Sequence, residues 1–93
     1  MKFLWDEEKN KILKTKRNIS FEQIVHAMEN NQIADVIEHP NQEKYKGQYF
    51  ILIEFSNYIY VVPANISDSG ENCKLLTIYP SRKYTKKYLG ERK

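Results

Sequence analysis

Glycine and cysteine are scarce in this chain of 93 residues, which contains three glycines and one cysteine. The single cysteine, Cys73, excludes an internal disulfide and any zinc site built from cysteines. The three scattered glycines exclude a glycine-rich phosphate loop, and neither HExxH nor GxSxG occurs. No carboxylate cluster has the spacing of a metal site. The sequence therefore predicts neither a metal nor another cofactor.

Long apolar runs are also missing. No stretch approaches the ~18–20 consecutive apolar residues that a membrane-spanning helix needs. The chain becomes charged after its first five residues, which leaves no room for the apolar region of a secretory signal. We therefore expect a cytoplasmic protein with no membrane partner. We also expect a single domain, 1–93, because two halves of this length would each be too small for a core.

The charge is mild in total but uneven along the chain, with a net value of +3. Residues 1–17 carry six Lys or Arg and three acids, residues 18–73 carry two Lys and eight acids, and residues 74–93 carry seven Lys or Arg and one acid. If the fold brings the two basic ends together, they form one positive face that attracts nucleic acid. The alternative is a set of scattered, solvated cations.

Hydrophobic periodicity and turn residues predict an α+β domain. Asp6 is a good N-cap for a first helix, and Ser20 with Gln23 fits the capping box of a second. The predicted elements are a strand at 2–5, helices at about 7–17 and 21–30, strands at 33–39, 48–55, 58–66 and 73–80, and a helix from Ser81 to about Leu89. The order β-α-α-β-β-β-β-α with short turns predicts a curved antiparallel sheet with helices packed on one face.

The run QYFILIEF at 48–55 is predicted to be a central strand of this sheet. Both sets of alternating residues in it are largely apolar, which is typical of a strand covered on both faces. Ser56-Asn57, between this run and the next, predicts a tight hairpin.

Arg82 is the strongest candidate for a functional residue. It follows Pro80-Ser81, where the last strand passes into the last helix, and both a guanidinium and helix N-terminal amides attract phosphate. The other basic and aromatic residues of that helix are Lys83, Lys86, Lys87, Tyr84 and Tyr88. The alternative is a solvated terminal helix, in which a first-turn cation costs about a few tenths of a kcal/mol.

The two histidines are weaker candidates. His39 precedes Pro40 at a strand end, where functional side chains often project. The sequence HPN is also a turn signal, and we favour that interpretation. His26 is offset from the apolar stripe of its helix and is predicted to be a half-buried structural residue. A metal site built on both histidines would lack a third ligand at any recognisable spacing.

The two ends of the chain together resemble one protein family. The opening FLWDEEKNKILKTKRNISFEQ and the ending LLTIYPSRKYTKKYLGE resemble BrnT-type toxins, the ribonuclease half of bacterial type II toxin–antitoxin pairs. The matching positions are Trp5, Asp6, Lys9, Ile19, Ser20, Phe21, Glu22, Arg82 and Tyr88. Where the family has K-H-G, this chain has Lys16-Arg17-Asn18, so that an arginine replaces the family histidine.

The resemblance implies a fold like that of the RelE ribonucleases and a metal-independent endoribonuclease that inhibits translation and growth. In such a reaction the 2′-hydroxyl attacks its own phosphate, and the protein positions the strand, moves protons and neutralises developing charge. The residues expected to carry catalysis are Arg82, Lys9, Arg17 and Tyr88. The residues expected to hold RNA are Lys16, Lys83, Lys86 and Lys87.

The resemblance also implies a protein partner, a cognate antitoxin that binds DNA and is often of the ribbon-helix-helix type. The alternative is a non-catalytic module for RNA binding or protein interaction, and Arg17 at the family histidine position favours it. For a catalytic site, we expect Lys9, Lys16 or Arg17 to lie on the same face of the protein as Arg82.

Overall fold

The fold is that of a computed structural model, which describes residues 1–90. In chain order, its elements are β1 (Lys2–Leu4), α1 (Glu7–Arg17), α2 (Phe21–Glu29), β2 (Ile33–Glu38), β3 (Gln48–Phe55), β4 (Tyr58–Ile66), β5 (Asn72–Leu75), β6 (Tyr79–Pro80) and α3 (Arg82–Leu89). Within residues 1–90, no helix combines the length and the apolar character needed to cross a membrane. The last three residues of the chain, which include two of the predicted basic positions, lie outside the described part.

The strands of the described chain form one mixed sheet in the order β1-β5-β4-β3-β2, with β6 paired to β4. The predicted antiparallel sheet is correct from β2 to β5 but wrong at one edge, where β1 runs parallel to β5. Short turns force antiparallel pairing only between consecutive strands. Two helices and three strands separate β1 from β5, so the direction in which β1 enters the sheet is not constrained by a turn.

The strand predicted over 73–80 is interrupted, and Pro63 explains why. Leu75 pairs with Ala64 and Tyr79 pairs with Val61, so that one strand has an extra residue between these two pairs. Between them, the backbone carbonyl of Pro63 accepts a hydrogen bond from the amide of Leu76. In an antiparallel ladder the amide of residue 63 would donate a second hydrogen bond to the same neighbouring strand. Proline has no amide hydrogen, so this bond cannot form and the ladder is interrupted there.

One face of the sheet is covered by α1 and α2. Leu13 of α1 and Phe21 of α2 are buried against Ile51 and Ile53 of β3. Trp5 stacks on the ring of Phe21, with 5.6 Å between the ring centroids. The first basic helix is therefore fixed on this side of the sheet.

The opposite face is covered by α3. Tyr84 and Tyr88 pack against Phe50, Leu52 and Val61. The predicted central position of β3 is confirmed, but the prediction that all helices pack on one face is wrong. The reason is the apolar character of both faces of β3 and β4. Each apolar face must be buried by a helix. Because α1 and α2 bury the first face, α3 buries the second.

A buried asparagine joins α1 to α2. Asn10 is 0% exposed; its amide nitrogen donates to Glu22 at 2.8 Å and its carbonyl oxygen accepts from the backbone amide of Phe21 at 2.9 Å. The hydrogen bond from Asn10 lowers the pKa of Glu22. The predicted capping box of Ser20 and Gln23 starts α2 at this corner.

Candidate nucleic-acid interface

The outer face of α3 is a continuous cationic surface. Arg82, Lys83, Lys86 and Lys87 are all exposed. Their spacing places them on the side of the helix that faces away from the sheet, because residues three and four apart are neighbours on a helix surface. Among residues 1–90, ion pairs within 4.0 Å involve only Lys11 with Glu8 and Lys14 with Glu22. None of the four cations of α3 therefore has a carboxylate within 4.0 Å in the described part of the chain.

Two tyrosines anchor this helix to the sheet and lie directly beneath its lysines. The ammonium of Lys83 is 5.3 Å from the ring centroid of Tyr84, and that of Lys87 is 5.6 Å from the ring centroid of Tyr88. The two rings are 6.4 Å apart, as their predicted positions on one helix face require. Both tyrosines are half-buried. The surface thus combines aromatic rings packed on the sheet with exposed cations.

Ser81 and Thr85 hold the start of α3 in place. The Ser81 hydroxyl accepts from the backbone amide of Tyr84 at 3.1 Å, as its predicted capping role requires. The Thr85 hydroxyl donates to the Ser81 carbonyl at 2.7 Å and accepts from the buried amide of Ile59 at 2.8 Å. The position of Arg82 is therefore fixed relative to β4.

The end of α3 is tied to edge strand β2 by a tyrosine–carboxylate pair. The Tyr88 hydroxyl donates to Oδ2 of Asp35 at 2.6 Å. This hydrogen bond raises the pKa of Tyr88 and lowers the pKa of Asp35, and the nearby Lys87 lowers the Asp35 pKa further. At neutral pH the pair is a protonated phenol and an ionised carboxylate.

Asp35 was missed as a site residue, although the sequence carries a signal. It stands between Ala34 and Val36 in a strand whose one other charged residue, Glu38, is at its end, and aspartate is depleted in strands. An aspartate in that position indicates a specific partner. Its partner lies 53 residues later in the chain, and no local pattern identifies it.

The structure does not bring together all of the predicted site residues. Arg82 and Tyr88 lie on the same helix, but six residues separate them, which is about 9 Å along the axis. Lys9 is half-exposed, and Lys16 and Arg17 are exposed, on α1, which covers the opposite face of the sheet. The predicted composite site of α1 and Arg82 is wrong, because the sheet lies between the two basic helices.

The two histidines differ from each other in their surroundings. His39 is half-buried, and its Nδ1 accepts from the backbone amide of Asn41 at 3.0 Å, which fits the predicted turn. His26 is exposed rather than half-buried, and its ring lies 3.2 Å from the side-chain nitrogen of Asn30. No group of three or more His, Cys, Asp or Glu within residues 1–90 is arranged to hold a metal ion.

The single cysteine, Cys73, is buried, and this burial raises the pKa of its thiol.

Comparison of the chain with known protein families, with curated proteins and with solved structures found no match in any of the three. The resemblance to BrnT-type toxins therefore rests on the sequence positions quoted above. The roles predicted from it for Arg82, Lys9, Arg17 and Tyr88 stay predictions.

Proposed function

We propose that the outer face of α3 binds single-stranded RNA and that the protein is a metal-independent endoribonuclease toxin of a type II toxin–antitoxin system. The observation that carries the proposal is a set of four exposed cations on α3, none with a carboxylate within 4.0 Å among residues 1–90, above two tyrosines that pack on the sheet. Sequence resemblance at both ends of the chain supports the toxin part of the proposal. It also supports a fold related to that of the RelE ribonucleases.

The pairing of lysines with tyrosines favours a single strand over a duplex. Single-stranded RNA exposes base faces that stack on aromatic rings, and its phosphates bind lysine and arginine. On α3 each tyrosine ring has an ammonium within 5.6 Å. An exposed cation–π contact is worth only about 0.5–1 kcal/mol. A base can therefore replace the ammonium on the ring, and the freed lysine can move to the adjacent phosphate.

For cleavage, Arg82 is the proposed group that stabilises the transition state. The 2′-oxygen forms a bond to phosphorus and loses its proton, the bond to the 5′-oxygen breaks, and that oxygen gains a proton. The products are a 2′,3′-cyclic phosphate and a 5′-hydroxyl. Negative charge grows on the phosphoryl oxygens, and an arginine can make two parallel hydrogen bonds to them. Arg82 is exposed and has no carboxylate partner among residues 1–90, so it is available for this contact.

RNA binding without cleavage is the second candidate function, and the state of the Tyr88–Asp35 pair favours it. The lowered pKa of Asp35 and the raised pKa of Tyr88 leave neither group ready to accept a proton at neutral pH. Lys9 and Arg17 lie on α1, which packs on the opposite face of the sheet from α3, and this candidate gives them no part in the reaction. In this function the same α3 surface binds RNA, and Arg82 only holds phosphate.

Two measurements, made one after the other, test RNA binding and then RNA cleavage. The purified protein should bind a labelled single-stranded RNA more tightly than an RNA duplex of equal length in fluorescence anisotropy. Incubation with unlabelled RNA should then give fragments with 2′,3′-cyclic phosphate and 5′-hydroxyl ends. Binding without such fragments supports the second candidate, whereas no preference for a single strand contradicts the α3 surface.

The proposed partner is a cognate antitoxin that binds DNA. Expression of the protein alone should arrest growth, and co-expression of the product of the neighbouring gene should restore it. Growth that is unaffected in either case contradicts the toxin assignment and leaves RNA binding to be judged by the anisotropy measurement.

A further inference from the structure

A second aromatic site lies on the same face of the sheet as α3. His39 follows the end of β2, and its ring centroid is 4.3 Å from that of Tyr45 and 4.8 Å from that of Phe50. Phe50 belongs to the cluster under α3, together with Tyr88. The His39–Tyr45 stack is therefore continuous, through Phe50, with the packing beneath α3.

The loop that carries this stack is held by its own hydrogen bonds. The backbone amide of Asn41 donates to His39, and the Asn41 oxygens accept from the backbone amides of Lys44 and Tyr45 at 3.1 and 2.9 Å. The side-chain nitrogen of Gln42 donates to the His39 carbonyl at 2.9 Å. These hydrogen bonds hold the loop backbone that places Tyr45 beside His39.

The charge of this loop stands out from its surroundings. Residues 18–73 contain only two basic residues, Lys44 and Lys46, and both lie in this loop beside one acid, Glu43. The ammonium of Lys44 is 5.3 Å from the ring centroid of Tyr45. This contact repeats the arrangement seen twice on α3, in which a lysine precedes a tyrosine in the sequence and covers its ring.

We infer that the His39–Tyr45 stack is a nucleobase-binding subsite of the RNA surface proposed for α3, on whose RNA-binding function it rests. A base of the strand stacks on Tyr45 in place of the Lys44 ammonium, and Lys44 then contacts the adjacent phosphate. His39 lies four residues along β2 from Asp35, the partner of Tyr88, which is about 13 Å. One RNA strand that leaves the end of α3 reaches this loop across the same face.

Salt dependence separates a stacking contact from a phosphate contact. Loss of one stacked base lowers affinity about 5- to 150-fold, but it releases no counterion and leaves the log–log salt slope unchanged. Loss of one phosphate contact reduces the slope by about 0.7. In anisotropy titrations over a range of salt, Tyr45→Leu should lower the affinity at constant slope. Lys44→Gln should reduce the slope, and Tyr45→Phe, which keeps the ring, should bind like the native protein.

A second measurement uses the native protein and does not depend on how the variants fold. In a set of oligonucleotides with one abasic position each, at least one position should show reduced affinity at unchanged slope. Tyr45→Leu, with a melting temperature matched to the native protein, should abolish the penalty at one such position. If native protein binds RNA but Tyr45→Leu keeps the native affinity and every abasic penalty of the native protein, the subsite is wrong and the α3 proposal stands. If native protein binds no RNA, both fail. If Tyr45→Leu loses antitoxin binding but keeps RNA affinity, the stack is a protein interface and the inference is overturned.

Discussion

The hydroxyl of Tyr88 lies 2.6 Å from Oδ2 of Asp35 and joins the last turn of α3 to edge strand β2. The two residues are far apart in the sequence, and their contact closes α3 over the second face of the sheet. It holds the cationic helix in place, and none of the four exposed cations lies within 4.0 Å of the Asp35 carboxylate. The pair is therefore a support for the proposed RNA surface, and its stabilising effect depends on pH.

The first prediction concerns that pH dependence. The pKa of Asp35 is lowered in the folded state, so its contribution is present above the unfolded pKa of ~3.9 and is lost as the pH falls through the folded value. The pKa of Tyr88 is raised, so its contribution is present below the unfolded pKa of ~10 and is lost as the pH rises through the folded value. Native protein should be more stable than Tyr88→Phe between about pH 4 and pH 10.

Urea unfolding at several pH values measures this difference directly. The gap in unfolding free energy between the native protein and Tyr88→Phe should shrink at about pH 2, below the ordinary aspartate pKa. Asp35→Asn is the control, because an amide oxygen still accepts from the phenol but does not titrate. A gap of the same size at about pH 2 and pH 7 would show that the carboxylate is not the source of the stabilisation.

The second prediction concerns the attachment of α3 to β4. The Thr85 hydroxyl accepts from the backbone amide of Ile59, a residue that is 0% exposed. Thr85→Val nearly keeps the volume but leaves that amide without a partner, which costs about 1–3 kcal/mol. Thr15→Val, at an exposed position of α1, should change stability by less than about 0.5 kcal/mol. Equal effects of the two substitutions in urea unfolding would contradict the role given to Thr85.

Local features of the fold could be predicted from the sequence because their signals lie within a few residues. The capping box of Ser20 and Gln23 is present. Ser56 and Asn57 both have positive φ, 56° and 62°, as a tight hairpin of this type requires. The central position of β3 followed from its two apolar faces. In each case, one short stretch of sequence contains the whole physical cause.

The arrangement of the helices could not be predicted in this way. An apolar stripe shows which side of α3 is buried, but it does not show which face of the sheet covers it. The predicted meeting of the two basic helices assumed one shared face, and the apolar residues Phe50 and Leu52 required a second. The hydrogen-bond partners of Asn10 and Asp35 could not be predicted from the sequence either, because only the tertiary fold brings each side chain close to its partner.

The third prediction isolates Arg82 as the group that stabilises the transition state. Arg82→Ala should lower the rate of RNA cleavage by about 10²–10³ with no change in melting temperature, because the side chain is exposed and has no carboxylate partner among residues 1–90. Arg82→Lys should also lose most of the activity, because an ammonium cannot make two parallel contacts. Lys86→Ala, one turn along the same helix, is the control and should weaken binding with little effect on turnover. Cleavage by Arg82→Ala at the native rate would remove the catalytic role.

The fourth prediction concerns the central claim, that α3 rather than α1 forms the RNA surface. Two double variants remove the same charge from opposite faces of the sheet: Lys83→Gln with Lys86→Gln on α3, and Lys9→Gln with Lys16→Gln on α1. With about four phosphate contacts, the native log–log salt slope for a short single-stranded RNA should be close to −3. The α3 variant should bring it to about −1.5, because two contacts are lost, and the α1 variant should leave it unchanged.

Anisotropy titrations of the native protein and both double variants, with one RNA of about eight nucleotides over a range of salt, give the most direct test. The account predicts a reduced slope and a reduced affinity for the α3 variant alone. An equal reduction in both variants, or a larger one in the α1 variant, would contradict it.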